Sequence, residues 1–131
     1  MDQVIGGRSM KLLIDESIIL RYLLADNKRG YHRACEAIAT GEAYTYPEIY
    51  ARVAIILRDV YGVPRSQIGY ALITLMNDIT LIEAPIVEYA TRLFGSSLLD
   101  YVDCLLIARN AVMKQNVMTY DKPLLSRMLA L

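Results

Sequence analysis

The chain reads as an α/β protein with a mainly parallel sheet, and three features of the sequence predict it. Short apolar runs recur along the chain, each succeeded by one or two segments with helical spacing. The runs are apolar throughout rather than alternating, as strands covered on both faces are. Glycine and proline punctuate the segments: Gly41 and Gly62 close helical stretches, while Pro47, Pro64, Pro85 and Pro123 open them.

Taken in order, Lys11 to Asp15 is a short apolar run read as a buried strand. A helix begins at about Ser17, and a second carries Tyr31, Ala34, Cys35 and Ile38 at i, i+3, i+4 and i+7. Ala43 to Tyr46 is the second strand. The helix behind Pro47 aligns Ile49, Val53, Ile56, Leu57 and Val60 on one stripe, and the next turns Ile68, Ala71, Leu72, Leu75 and Met76 inward. Ile79 to Glu83 is the third strand, with helices from Pro85 to about Phe94 and from about Leu98 to Met113. Val117 to Tyr120 is the fourth strand, and a last helix begins near Pro123.

At 131 residues the chain is the size of one domain, and no linker, repeat or low-complexity tract divides it. It is 55% hydrophobic and 21% charged, which excludes a disordered chain. Fourteen Lys and Arg balance fourteen Asp and Glu, so nucleic-acid contact needs a local patch rather than a global field. Cys35 and Cys104 fit neither a zinc spacing nor a disulfide framework and read as reduced core residues of a cytoplasmic protein. No apolar run approaches the roughly 18 residues of a membrane span, and no signal-peptide core opens the chain. Residues 1–9 differ in character from the rest of the chain; Met10 reads as the natural start, with a disordered leader before it.

The chemistry is in the acids. Asp15 ends the first strand, and Asp121 comes directly after the fourth. Asp100 and Asp103 stand three apart on a helix and share a face among Val102, Leu105 and Leu106, as on a helix lying against the sheet with its acids at the rim. In an open parallel sheet, ligands bind outside the carboxyl ends of the strands. Carboxylates brought together there repel unless a cation binds or a proton is shared. An all-oxygen set suits Mg²⁺ or Mn²⁺, and those ions suit phosphodiester hydrolysis. Each acid also has an ordinary alternative, as helix N-cap, turn residue or solvated face.

Other acid-based α/β systems fit less well. A phosphotransfer receiver needs an aspartate after its third strand, where this chain has Glu83. A haloacid-dehalogenase-like phosphatase needs Asp-x-Asp after its first strand, where position 17 is Ser. No GxGxxG or GxxxxGK[ST] loop is present. His32 lies in a basic helical stretch and reads as a solvated surface residue rather than a catalytic base.

Three segments, MKLLIDESIILRYLL, YVDCLLIA and VMTYDKPL, resemble the motifs of the PIN domain family in order and spacing from Met10 onward. The first matches Asp15 and Ser17 to the family's Asp-x-Asn/Ser, the second matches Asp103, and the third matches Thr119 and Asp121. The RYLL and RDVYGVPRSQI segments look most like VapC-type toxins of type II toxin–antitoxin modules. The resemblance implies a three-layer fold whose mainly parallel sheet of four to five strands is flanked by helices. It also implies a Mg²⁺- or Mn²⁺-dependent ribonuclease, a homodimer, and a small antitoxin partner. Asp15, Asp103 and Asp121 would be metal ligands and catalytic residues, Asp100 a supporting acid, and Ser17 and Thr119 hydroxyls that orient the carboxylates.

One position departs from the pattern. The family's helix glutamate falls on Arg52. Either Glu48, one turn earlier, fills that place or pairs with Arg52 across i,i+4, or Arg52 serves as a counter-ion to Asp15 or Asp103. The last arrangement would make the chain a catalytically silent PIN scaffold that binds RNA or a protein. Lys28, Arg29, His32 and Arg33 form a basic cluster around Tyr31, and Arg58 and Arg65 form another. Such clusters hold RNA phosphates, and an aromatic among them stacks bases; a charge run is more often a solvated helix face, and Tyr31 falls on the apolar stripe. Ten tyrosines fit an exposed partner surface without locating it.

Overall fold

A computed structural model describes residues 11–130 of the chain. The leader expected at residues 1–9, and Met10, lie outside the described residues. The order is β1 (Leu12–Leu13), α1 (Glu16–Leu24), α2 (Lys28–Ala39), β2 (Ala43–Thr45), α3 (Pro47–Asp59), α4 (Arg65–Leu75), β3 (Thr80–Leu81), α5 (Ala84–Gly95), α6 (Tyr101–Met113) and α7 (Lys122–Leu129). The class is α/β, with a parallel sheet in the order β1-β2-β3 flanked by helices. Each parallel step needs a crossover; α1 and α2 supply the first, α3 and α4 the second.

The strands are shorter than their apolar runs. Leu12 pairs with Ala43 and Leu13 with Tyr44, while Tyr44 pairs with Thr80 and Thr45 with Leu81. Thr45, fully buried, donates its hydroxyl to the Ile14 carbonyl at 2.9 Å and so ties β1 to β2 beyond the ladder. The expected sheet of four to five strands is corrected to three among the described residues. Residues 117–120 have strand-like composition but no ladder partner there. Val117 packs on the core, whereas Met118 and Tyr120 are 90% and 95% exposed, so no second face is covered.

Most expected helices form, and local chemistry sets their ends. The Asn27 side chain accepts from the Gly30 amide at 2.8 Å and caps α2. Pro47 occupies the first turn of α3, where its missing N–H costs nothing. That helix ends at Asp59, and Val60, expected on the inward stripe, is exposed. α6 starts at Tyr101 rather than Leu98. Its buried face is Tyr101, Cys104, Ile107 and Ala108, and it packs chiefly against α5. Val102, expected to face the sheet, is exposed, while Leu105 and Leu106 are half-buried. Glu83, at the start of α5, takes φ 58° and ψ 41°, a left-handed conformation unusual for a residue with a side chain.

Polar groups in the core find partners. Tyr50 donates its hydroxyl to the Leu72 carbonyl at 2.9 Å, and the Thr91 and Tyr101 hydroxyls share a bond of 2.6 Å. Both cysteines are free thiols; burial pushes Cys104 up to about 11, leaving an inert core thiol. Among the described residues, no helix is long and apolar enough to cross a membrane.

α4 and α5 approach closely at a pair of glycines. A Cβ added at Gly69 would lie 3.2 Å from the Gly95 Cα, a backbone atom that would have to give by a few tenths of an ångström. Overpacking costs about 1–3 kcal/mol and outweighs the roughly 0.5–1 kcal/mol that alanine gains over glycine inside a helix, so Gly69→Ala is expected to destabilise the fold by about 1–2 kcal/mol. Urea unfolding checks this, with the midpoint falling and the slope unchanged; an unchanged midpoint would show that the two helices separate freely.

Candidate functional site

The candidate acids stand at helix starts. Asp15 leaves β1 and is the N-cap of α1: its Oδ1 accepts from the Ser17 amide at 2.9 Å, the Ser17 hydroxyl at 2.6 Å and the Ile18 amide at 3.3 Å. Asp121 is the N-cap of α7, its Oδ1 accepting from the Leu124 amide at 3.0 Å. Both keep the ordinary capping role of such residues. All the capping bonds fall on one oxygen of each carboxylate, and Oδ2 takes no part in them.

Asp100 is the N-cap residue of α6 but makes no side-chain capping bond there. Its carboxylate instead accepts from Arg58 Nη1 at 3.4 Å. Asp103, in the first turn of the same helix, is partly buried. Burial first, then the negative charges of Asp100 and Asp121, hold its carboxyl above the usual carboxylate range. The structure thus brings Asp100, Asp103 and Asp121 into one electrostatic neighbourhood. Asp15 is not among the charges that move Asp103.

The hydroxyls divide. Ser17 bonds the Asp15 carboxylate, as expected of an orienting group. Thr119 accepts from the Asp121 amide at 3.0 Å and fixes its backbone, not its carboxylate. Arg52 is no counter-ion to Asp15 or Asp103: it extends from α3 to Glu16, Nη1 to Oε2 at 3.2 Å, with its side chain 69% exposed. Nor is its ion-pair partner Glu48, which lies on the exposed first turn of α3 near enough to act on Arg109. Arg109 makes two bonds to Glu83, at 2.8 and 3.1 Å, which hold the Glu83 carboxyl below the ordinary range.

The basic residues sort in the same way. Lys28, Arg29, His32 and Arg33 are exposed on the early turns of α2. Tyr31 is half-buried and stacks on Tyr22 with ring centroids 6.3 Å apart. Arg58 and Arg65 do not form an outward patch. Arg58 binds Asp59 and Asp100, Arg65 binds backbone carbonyls, and both guanidiniums lie over the Phe94 ring, at 5.9 and 4.4 Å. Sequence reasoning misses the long-range ties and the Glu16 partner of Arg52, because each joins residues 26 or more positions apart. The only signal is Glu16 standing beside Asp15.

As a donor set these residues offer hard oxygens only, which fits Mg²⁺ or Mn²⁺ and not a softer metal. Among the described residues, no three His, Cys, Asp or Glu side chains form a ready-made metal cage. No family model matches the chain, and neither a curated protein nor a solved structure matches it.

Burial and like charge at Asp103 have a measurable pH signature. Its folded pKa is raised, so the folded state holds that proton more tightly than the unfolded chain does. The associated stability is complete below the ordinary carboxylate range and is lost as pH rises through the raised value. In metal-free buffer, Asp103→Asn is expected to melt higher than the parent at pH 7, the gain fading as pH drops below that range. Equal melting temperatures at pH 7 would mean that neither burial nor like charge burdens the Asp103 carboxylate.

Proposed function

We propose that this chain is a divalent-metal-dependent ribonuclease of the PIN, VapC-like toxin type, hydrolysing RNA phosphodiester bonds. The observation that carries the reading is Asp103, a partly buried carboxyl crowded by Asp100 and Asp121 at the start of α6. Two further acids in register with the same motif pattern, Asp15 and Asp121, each leave one oxygen outside a helix cap. Asp103, Asp121 and Asp15 would hold the ion directly or through water, with Asp100 in support. When bound, Mg²⁺ or Mn²⁺ supplies an activated water and stabilises charge on the phosphate. The Ser17 hydroxyl bonds the Asp15 carboxylate, and Lys28, Arg29 and Arg33 would supply the electrostatic attraction for RNA phosphates. The same reading includes a homodimer, a small antitoxin partner and a cytoplasmic location.

A second reading, a catalytically silent scaffold that binds RNA or protein, draws on Arg52. Its positive charge replaces the glutamate of the pattern and lies against Glu16, next to Asp15. A cation on this side of the acids would oppose a dication bound among them.

Metal binding decides between the two. An ion that binds only the folded state adds about 2.7 kcal/mol at a hundredfold excess over Kd. Millimolar Mn²⁺ should therefore raise the melting temperature of the parent, and the rise should shrink in Asp15→Asn and Asp103→Asn. Single-stranded RNA should be cut with Mn²⁺ and spared in EDTA, with Asp121→Asn slowing cutting at least about tenfold. Asparagine remains a good N-cap, so that variant keeps α7. No metal effect on the parent's melting would favour the scaffold.

Arg52 gives an independent check. Arg52→Glu sets a second glutamate against Glu16 and should lower metal-free stability while tightening Mn²⁺ binding. Calorimetric titration of both proteins tests this; equal affinity would show that position 52 does not act on the ion.

A further inference from the structure

The segment joining α5 to α6 settles where the acids of α6 begin. Residues 96–99 are irregular, and Leu98 is 90% exposed, so the loop is not held by burying that side chain. Leu99 packs on the core, and the carbonyls of the loop are held by the first residue of α4. Arg65 Nη1 donates to the carbonyls of Leu99 at 2.7 Å, Ser97 at 3.0 Å and Phe94 at 3.4 Å, and Nη2 donates to Leu98 at 3.2 Å. Its guanidinium is seated over the ring of fully buried Phe94, 4.4 Å from the centroid.

An arginine near a helix C-terminus commonly binds the last helical carbonyls. Here only Phe94 belongs to the helix; the other three carbonyls belong to the loop that ends at Asp100. Arg58, which also lies over the Phe94 ring, reaches the Asp100 carboxylate at 3.4 Å. We propose that Arg65 is the positioning residue of the acid cluster: its guanidinium fixes residues 97–99, and through them the place of Asp100 and Asp103. That these acids serve a metal rests on the ribonuclease proposal; that Arg65 places them does not. The role belongs to a planar fork with five donors, which a lysine ammonium cannot reproduce at four carbonyls.

The competing account is that Arg65 merely adds global stability, or that the loop holds itself through the Ser97 hydroxyl, which accepts from the Leu99 amide at 3.3 Å and is hydrogen-bonded to the Cys104 thiol. Hydrogen exchange, read amide by amide on the full chain, separates these. The Cys104 amide bonds the Asp100 carbonyl at 3.0 Å and reports the first turn of α6. In Arg65→Lys its protection should fall at least about tenfold while the Val53 amide in α3 changes less than about twofold, the pattern of local rather than global opening. Ser97→Gly should leave Cys104 within about twofold of the parent. Mn²⁺ affinity in Arg65→Lys should weaken about tenfold. Unchanged Cys104 protection in Arg65→Lys, an equal fall at Val53, or loss of protection in Ser97→Gly alone would overturn the proposal. Absence of Mn²⁺ binding to the parent would count against the metal reading only, and the exchange data would still decide the role of Arg65.

Discussion

Phe94 of α5 and Tyr101 of α6 meet with ring centroids 5.4 Å apart, both fully buried, and the Tyr101 hydroxyl is bonded to buried Thr91. The rest of the structure depends on this contact. Strands of two or three residues form too few ladder bonds to hold a sheet alone. Stability must come from helix packing, and α5 with α6 is the most extensive helix pair. Because Phe94 also carries Arg65 and Arg58 on its ring, core packing and acid placement share one side chain.

The acids answer to both fold and site. Asp15 and Asp121 begin helices and so belong to the fold, yet each keeps its second oxygen outside the cap. Asp103 caps nothing and is partly desolvated beside like charges, an arrangement that costs free energy unless a proton or cation relieves it. The dipole of α6 favours an acid in its first turn, which offsets only part of the cost of burial and like charge. That asymmetry among the acids is why Asp103 carries the functional reading.

Much of this is legible in the sequence. Continuous apolar runs locate all three strands, and proline and glycine locate most helix boundaries, since both signals are local. The fourth strand does not form, because β-propensity at 117–120 cannot create a pairing partner. Acid grouping is legible for Asp100 and Asp103, which helical spacing places together, and for Asp121 through its motif. Asp15 stands at a strand end as its apolar run predicts, but its proximity to the others does not show at Asp103. The arginines are illegible because charge alone does not say which way a side chain turns. Arg58 and Arg65 look like a basic patch in sequence, yet they turn inward toward a ring and a row of carbonyls that only the folded chain assembles.

Glu83 shows how such a tie can escape a stability assay. A side chain in its left-handed conformation costs roughly 1–2 kcal/mol, and the paired bonds from Arg109, partly exposed to water, offset some of that cost. Glycine at position 83 would remove the strain and the bonds together, so two opposing changes would largely cancel in the free energy of unfolding. What would vanish is the linkage between the carboxyl edge of β3 and the later turns of α6. The loss would be expected to show in hydrogen exchange at that junction more than in the melting curve.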